Sequence, residues 1–328
     1  MRERVLITGA SGFIGYHLIE EALQHNLDVY ATVRKSSQTE HLKHFNIKYT
    51  CPDFTDLNSL KQELKENKYD YIIHAAGITT ARSQKEYDHV NADYTHNLAL
   101  AVLESGIKLK KMVLISSLAA LGPLNTLTGI ITEETEPHPI TAYGKSKLMA
   151  EQNLKEFSSL NYCILRPTGV YGPRDRDIFI FFKQVAKGIE PYIGKVEQKF
   201  SFLYVTDLAK VAIKALFGVN HKTYNLSDGN FYNRYELAAS IKETLNLKTV
   251  KFHLPVNFVK LIARVSEKYS SLSDKAAVLN VEKVDELMAV NWWCAIDNAK
   301  ADLGFYPEYN LQAGVTETIK WYKANKWL

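Results

Sequence analysis

Tyr143 and Lys147 are the two residues whose types and spacing most directly suggest chemistry. They lie at positions i and i+4 of a stretch with helical periodicity, so both side chains fall on one face within mutual reach. A phenol with an ordinary pKa of about 10 is a poor acid or base near neutrality, and a nearby ammonium group favours the phenolate. Lowering that pKa by about two to three units requires about 3 to 4 kcal/mol. We therefore predict that Tyr143 exchanges a proton with a substrate and that Lys147 lowers its pKa.

A glycine-rich stretch near the N-terminus predicts a dinucleotide-binding turn. Val5 to Thr8 forms an apolar strand, and Gly9, Gly12 and Gly15 follow in the spacing G-x-x-G-x-x-G. Gly9 and Gly12 let the backbone approach a pyrophosphate, and Gly15 permits close packing of helix on strand. Phe13 and Ile14 begin the helix, whose free amide groups would face the phosphates.

The elements that position these residues alternate between strands and helices. Because each helix separates two strands, we predict an α/β fold with a Rossmann-type, doubly wound parallel sheet. The predicted strands after the glycine turn are 27–33, 47–51, 69–74 and 112–117, and the predicted helices are 57–64, 91–104 and 142–157.

The carboxyl ends of these strands carry the candidate cofactor contacts, because a ligand crevice opens there in parallel sheets. The second strand ends in Arg34 and Lys35 with no acidic residue, which favours NADP over NAD, although both side chains also suit a solvated loop. The third ends in Asp53 and Phe54, where Asp53 either holds an adenine amino group or forms a turn. The fourth ends in the small residues Ala75, Ala76 and Gly77.

Composition excludes several other classes of function. The 328 residues carry a net charge of +4 with interspersed signs, so we expect no nucleic-acid partner. No apolar run approaches the roughly 18 residues that span a bilayer, and we expect a soluble, cytoplasmic protein. Cys51, Cys163 and Cys294 are isolated, which predicts buried thiols and no metal site.

Several motifs together resemble the extended short-chain dehydrogenase/reductase superfamily and its NAD-dependent epimerase/dehydratase family. They occur in the order typical of the superfamily and cover nearly the whole chain. These motifs are Thr8-Gly-x-x-Gly-Phe-Ile-Gly15, His74-Ala-Ala-Gly77, Ser117, Tyr143-x-x-x-Lys147, Leu165-Arg-Pro167, Tyr171-Gly-Pro173, Tyr204-Val-x-Asp207, and Asp297-x-Ala-Lys-Ala-x-Leu-Gly304.

This resemblance implies a role for each matching position. Tyr143 would be the catalytic acid and base, Lys147 would orient the nicotinamide ribose, and Ser117 would hydrogen-bond the substrate oxygen. Cofactor contacts are implied for Gly9, Gly12, Phe13, Ile14, Asp53, Ala75, Asn91 and Pro167. The resemblance also implies a homodimer that pairs the two long helices.

Departures from the family patterns narrow the reaction. Leu118 and Ala119 stand where relatives that dehydrate nucleotide-sugars carry Asp-Glu, so a dehydratase is not expected. Gly169 and Phe200 replace an asparagine and an arginine that grip the substrate diphosphate in nucleotide-sugar epimerases. The segment 282–293 also lacks the further arginine that such epimerases often carry ahead of the C-terminal motif. Such charge-assisted bonds contribute about 1.5 to 3 kcal/mol each, so the loss of three of them argues against a nucleotide-sugar epimerase.

A stretch at 255–271 has an amphipathic pattern, with Phe258, Leu261, Ile262, Val265 and Tyr269 on one face. It predicts either a lid over an apolar substrate or a helix packed on a small domain. Together with the later segment 281–284, this stretch resembles members related to dihydroflavonol reductases and hydroxysteroid dehydrogenases.

We therefore predict an NADP(H)-dependent oxidoreductase that acts on a ketone, aldehyde or secondary alcohol of a small hydrophobic molecule. Residues 1–172 would form the Rossmann domain, to which 201–222 return, and 173–328 would mainly form a smaller α/β substrate domain. The alternatives are an NAD-dependent nucleotide-sugar epimerase and a non-catalytic nucleotide sensor. Such sensors commonly lose the tyrosine or lysine that this chain retains.

Overall fold

The structure, a computed structural model, describes residues 2–271 and 280–328. The strands are β1 (Arg4–Thr8), β2 (Asp28–Thr32), β3 (Lys48–Thr50), β4 (Tyr71–His74), β5 (Lys111–Ile115), β6 (Tyr162–Pro167), β7 (Gly169–Tyr171), β8 (Ile189–Ile193), β9 (Lys199–Phe200), β10 (Phe202–Tyr204), β11 (Lys222–Leu226), β12 (Tyr232–Asn233) and β13 (Val250–Leu254). The helices are α1 (Phe13–Gln24), α2 (Leu57–Asn67), α3 (Gln84–Asp88), α4 (Tyr94–Ser105), α5 (Ala142–Lys155), α6 (Phe179–Ala186), α7 (Val205–Phe217), α8 (Glu236–Leu245), α9 (Val256–Ser271), α10 (Val281–Met288), α11 (Asp297–Leu303) and α12 (Leu311–Ala324).

A seven-stranded sheet organises the fold in the order β11-β6-β5-β4-β1-β2-β3. Every neighbouring pair in it is parallel, as the strand and helix alternation predicts. Strand order reverses between β1 and β4, and in open α/β sheets the ligand crevice lies at such a reversal. The glycine turn after β1 and the small residues after β4 meet there.

Helices cover both faces of the sheet, which confirms the doubly wound α/β class. On one face α1 and α7 pack through Leu18, Ile19, Leu208 and Ala212 against the strands. On the other face α2, α4 and α5 supply a second apolar cluster that includes Leu60, Leu98 and Leu154.

Three short strand pairs lie outside the large sheet: β7 with β10, β9 with β12, and β8 with β13. A third cluster, which includes Phe182, Ile241 and Val315, joins α6, α8 and α12 beside them. A domain boundary near residue 172 remains a prediction.

Two expectations need correction. Cys51 is exposed at the end of β3, an edge strand, whereas Cys163 and Cys294 are buried as predicted. The helix predicted from residue 91 begins regularly only at Tyr94, because a π-helical turn, His89–Asp93, precedes it. Within the described ranges, no helix is both long and apolar enough to cross a membrane.

Candidate active site

The glycine turn is built at distances that exclude side chains. A Cβ atom added at Gly9 would lie 2.6 Å from the carbonyl oxygen of Ala75, and one at Gly15 would lie 2.2 Å from that of Gly9. Gly12 precedes α1 and supplies no capping side chain. The first-turn amides of Phe13 and Ile14 therefore stay available to an anion, so this cradle fits a dinucleotide pyrophosphate.

A buried hydrogen-bond chain ties the glycine turn to the end of β4. The Thr8 hydroxyl lies 2.8 Å from Nδ1 of His74 and accepts a 2.9 Å bond from the amide of Ala76. Burial lowers the pKa of His74 to about 3, so its ring is neutral at physiological pH. This chain fixes Ala75 and Ala76 opposite Gly9, on the predicted cofactor crevice.

Tyr143 and Ser117 are brought together as predicted. Tyr143 lies in the first turn of α5, which begins at a Thr141 cap, and Ser117 caps a 3-10 turn directly after β5. The Ser117 hydroxyl lies close enough to the phenol to lower the pKa of Tyr143. Burial has the larger and opposite effect, and it raises the pKa of Tyr143 to about 12. The phenol is therefore protonated at neutral pH in this structure, contrary to the lowered pKa predicted above.

Lys147 lies one turn further along α5 and is buried. Its ammonium group donates a 2.9 Å hydrogen bond to the carbonyl oxygen of Ile115, at the end of β5. Burial lowers the pKa of Lys147 to about 8, while the charge of Glu151 opposes that shift. The ammonium group is thus buried at the end of β5, one helical turn from Tyr143, but it is not among the main causes of the shift in the pKa of Tyr143.

A buried ion pair beneath Lys147 escaped the sequence reasoning. Arg166 donates to both carboxylate oxygens of Glu151, at 2.9 and 2.6 Å, and Ser116 donates to the same carboxylate at 2.6 Å. Glu151 continues the i, i+4 series of Tyr143 and Lys147, and this spacing is the signal that could have found it.

Asn91 supports the lysine side of the site. Its side-chain oxygen accepts from the amide of Ile78 at 2.9 Å, and its amide group donates to Ser146 at 2.9 Å. A Cβ atom added at Gly77 would lie 3.0 Å from Asn91 Oδ1 and 3.3 Å from Lys147 Nζ. The π-helical turn around Asn91 aims it at the end of β4, and such turns are frequent at functional sites.

The predicted adenine side of the crevice is more exposed. The ring of Phe54 stacks on the rings of His74 and Tyr94, with distances of 6.1 and 5.4 Å between the ring centres. The charges of Arg34 and Asp53 both affect the pKa of Tyr94, which places these two side chains beside that ring. The remaining predicted contacts are an exposed Lys35 in the same loop and a buried Pro167 at the end of β6.

An apolar, buried wall follows Ser117 in the chain. Leu118 and Leu121 pack with Ile131 and Cys294 in a small buried cluster. Their neighbour Ala119 is also buried, so this wall holds no acidic side chain at the two positions after Ser117.

Lys199 provides a cation beside two aromatic rings near this apolar cluster. The ammonium group of Lys199 is 4.4 Å from the centre of the Phe231 ring and 4.9 Å from that of Trp293. The backbone of Lys199 also pairs with Trp292, which joins this aromatic group to the apolar wall.

Helix α10 covers the start of the helix that carries Tyr143. The Glu282 carboxylate accepts a 2.8 Å hydrogen bond from the amide of Ala142, and the charge of Glu286 raises the pKa of Tyr143. A ring contact at 6.2 Å joins Tyr143 to Tyr87 on the opposite side.

Comparison with known proteins decides the family. The model of the NAD-dependent epimerase/dehydratase family matches residues 5–227. The chain belongs to this family. This confirms the resemblance to extended short-chain dehydrogenases and reductases and makes the chain a nicotinamide-dinucleotide-dependent enzyme.

Individual relatives differ widely in their substrates. The N-acetyl-alpha-D-glucosaminyl-diphospho-ditrans,octacis-undecaprenol 4-epimerase of Escherichia coli O157:H7 is 27% identical over 98% of this chain and 96% of its own. The decarboxylating sterol-4-alpha-carboxylate 3-dehydrogenase of Candida albicans is 26% identical over 97% of both chains. A solved structure of UDP-glucose 4-epimerase from Thermus thermophilus, in complex with NAD, superimposes with a TM-score of 0.78 at 21% identity, over 98% of this chain and 99% of that one.

Proposed function

We propose that this enzyme transfers a hydride between a nicotinamide dinucleotide and a carbonyl carbon, with Tyr143 as proton donor and Ser117 as the group that polarises the carbonyl oxygen. The observation that carries this proposal is the proximity of Ser117, at the end of β5, to Tyr143, in the first turn of α5, where the Ser117 hydroxyl lowers the pKa of the phenol. Two hydroxyl groups that converge on one point are suited to a single substrate oxygen.

The raised pKa of Tyr143 favours the reducing direction. The glycine turn and the end of β4 would hold the cofactor, whose reduced nicotinamide would supply the hydride. The phenol starts protonated, because burial raises its pKa to about 12, and it gives its proton to the substrate oxygen while Ser117 donates a hydrogen bond to that oxygen. The buried Lys147 ammonium group stabilises the phenolate that remains.

Replacing Tyr143 by phenylalanine tests this role. We expect Tyr143→Phe to lose hydride transfer to a hydrophobic ketone while it still binds cofactor. Tyr87→Phe is the matched control: its ring contacts Tyr143, but its hydroxyl donates only to the carbonyl of Thr79, at 3.2 Å. Turnover retained in Tyr143→Phe would refute the assignment of Tyr143 as the proton donor, whereas cofactor binding without any turnover in the unmodified protein would favour a non-catalytic sensor.

A hydrophobic substrate is the class that the crevice best supports. The residues that follow Ser117 are apolar, with Leu118 and Leu121 packed on Ile131, and the two positions after Ser117 offer no acid for the loss of water. The sterol dehydrogenase among the relatives acts on a lipid of this kind. A screen that follows NADPH absorbance, first with hydrophobic ketones and then with nucleotide-sugars, identifies the substrate.

NADP is the cofactor form that we propose. Arg34 ends the strand where an acid would bind the ribose 2′-hydroxyl of NAD, and its guanidinium group is exposed beside Tyr94. A charge-assisted bond contributes about 1.5 to 3 kcal/mol, so Arg34→Ala should weaken NADP binding about tenfold to a hundredfold and leave NAD binding nearly unchanged. Lys43→Ala, an exposed lysine beyond the same loop, is the control. Equal losses for both cofactors would refute the preference.

An epimerase that acts on a diphosphate-linked sugar is the second candidate, and Lys199 favours it. Its ammonium group lies over two rings next to the apolar cluster that follows Ser117, and it would provide a cation for a diphosphate. The first step of such a reaction, oxidation of an alcohol, uses the same Tyr143. Denaturing the purified protein and identifying the released nucleotide separates the two functions, since retained NAD indicates the epimerase and exchangeable NADPH the reductase.

A homodimer through α4 and α5 remains an expectation from the family pattern. Leu103 on α4 and Met149 on α5 are exposed apolar side chains, which supports such a contact. Sedimentation velocity of Leu103→Glu against the unmodified protein tests it.

A further inference from the structure

Helix α9 presents an apolar stripe to solvent. Its large side chains at i, i+3, i+4 and i+7 are all exposed: Phe258 51%, Leu261 57%, Ile262 44% and Val265 57%. The helix instead packs through Val259 and Ala263. The periodicity at 255–271 thus predicts a helix correctly, but its apolar face points outward, and neither packing on the small domain nor contact with the crevice accounts for it. The side chain of Tyr269 lies outside the described residues.

A basic stripe borders the apolar one. Lys260, Arg264 and Lys268 follow one another at intervals of four residues and therefore lie on one side of the helix, adjacent to Leu261 and Val265. Lys260 pairs with Asp285 of α10 at 2.6 Å, which anchors that side of the helix to the protein. A helix with Phe, Leu and Ile on one face and Lys and Arg beside it is typical of segments that lie in a membrane interface.

The apolar stripe lies on the outer side of the layer that covers the candidate active site. Val259 and Ala263 of α9 pack on Val284 of α10, and α10 in turn contacts the start of α5 through Glu282. Among the residues that the structure describes, α10 therefore links α9 to the helix that carries Tyr143.

The surrounding charge favours an anionic surface as the occupant over a second copy of this chain. Just before α9, the cationic groups of Lys251 and Arg234 both lie over the ring of Tyr235, at 4.0 and 5.8 Å from its centre. Two copies that met through α9 would bring their positive regions together. A lipid surface with anionic headgroups instead complements both the basic stripe and the cations just before α9.

We propose that α9 docks this enzyme onto the surface of an anionic lipid bilayer, with Phe258, Leu261, Ile262 and Val265 inserted among the lipids. This goes beyond the proposed function, because the docking depends on neither the cofactor nor the reaction. If the substrate is lipid-like, docking places the layer over Tyr143 against the membrane that holds it.

Flotation with phospholipid vesicles tests the proposal without substrate or cofactor. The unmodified protein should float with vesicles that mix phosphatidylcholine and phosphatidylglycerol, and Phe258→Ser/Leu261→Ser should remain in solution. The matched control is Phe217→Ser/Val219→Ser, which changes side chains of similar exposure, 57% and 46%, at the end of α7. This control should float like the unmodified protein.

A charge variant separates electrostatic from apolar binding. Each basic residue near an anionic surface contributes about fivefold in affinity, so Arg264→Gln should weaken binding by about that factor and leave the fold unchanged. The proposal fails if the unmodified protein does not bind anionic vesicles at low salt, or if both double variants bind equally. It also fails if α9 instead joins two copies, which sedimentation velocity would show as a dimer that only Phe258→Ser/Leu261→Ser dissociates. Failure of vesicle binding leaves the Tyr143→Phe result unaffected, so the two proposals fail independently.

Discussion

Neutralising Glu151 should lower the free energy of unfolding more than breaking an exposed ion pair does. The carboxylate is fully buried, receives two hydrogen bonds from Arg166 and one from Ser116, and lies one turn beyond Lys147. Glu151→Gln retains the shape of the side chain but leaves the Arg166 guanidinium group buried without its counter-charge.

The expected loss is a large part of the stability of the protein. Removing one partner of a buried ion pair costs about 3 to 5 kcal/mol, whereas a whole domain is stable by only about 5 to 15 kcal/mol. The exposed pair of Lys210 and Glu308 has a comparable separation, 2.6 Å, and its loss costs about 0 to 1 kcal/mol. Glu308→Gln is therefore the matched control for burial.

Denaturant unfolding measures both variants, and a double variant completes the test. Glu151→Gln/Arg166→Met removes both charges and should recover much of the loss, because the unpaired charge causes most of it. If Glu151→Gln lowers the free energy of unfolding no more than Glu308→Gln does, the argument from burial is wrong.

A pH profile gives a readout that lost stability alone would not move. The charge of Glu151 opposes the burial that lowers the pKa of Lys147 to about 8. Without that charge, the pKa of Lys147 should fall further, and the alkaline decline in kcat/KM should move to lower pH. An unchanged decline in folded Glu151→Gln would show that Lys147 does not govern it.

Two further predictions concern the cofactor cradle and a buried acid. Gly15→Ala places a Cβ atom 2.2 Å from the Gly9 carbonyl and should destabilise by about 1 to 3 kcal/mol, whereas Gly12→Ala, at 3.2 Å, should cost less; thermal unfolding that ranks them in reverse refutes the geometry. Burial raises the pKa of Asp175 to about 7, so the folded state binds the extra proton and stability falls as pH rises from 3.8 to 7. Urea unfolding should show this dependence reduced in Asp175→Asn, and an unchanged dependence assigns it to another group.

The sequence predicted best those features that follow from backbone sterics and strand order. The need for glycine at positions 9 and 15 could be predicted, because a Cβ atom at either position would meet main-chain atoms, which every sequence shares. The helix that carries Tyr143 and Lys147 begins at Ala142 as predicted, since periodicity and the Thr141 cap agree.

Properties that depend on distant partners were not readable. The spacing placed Lys147 near Tyr143, but the acceptor of its hydrogen bond, the carbonyl of Ile115, has no signature in the side-chain pattern. Periodicity located the helix at 255–271 and identified its apolar stripe, yet the direction of that stripe depends on where α10 packs. Likewise, the position of Cys51 on an edge strand follows from sheet order, which residue 51 alone does not reveal.

The hydrogen bond between Glu282 and the amide of Ala142 connects the late helices of the chain to the helix that carries Tyr143. The residues that we assign to hydride transfer precede residue 168, whereas α9 and α10 come much later in the chain. The Glu282 carboxylate nevertheless accepts from the first amide of α5, where a negative charge stabilises a helix by about 0.3 to 1 kcal/mol. A ligand or surface that shifts α10 therefore changes the environment of Tyr143, one residue further along the same helix. Through this contact, α9 and α10 can act on Tyr143, the proposed proton donor on α5.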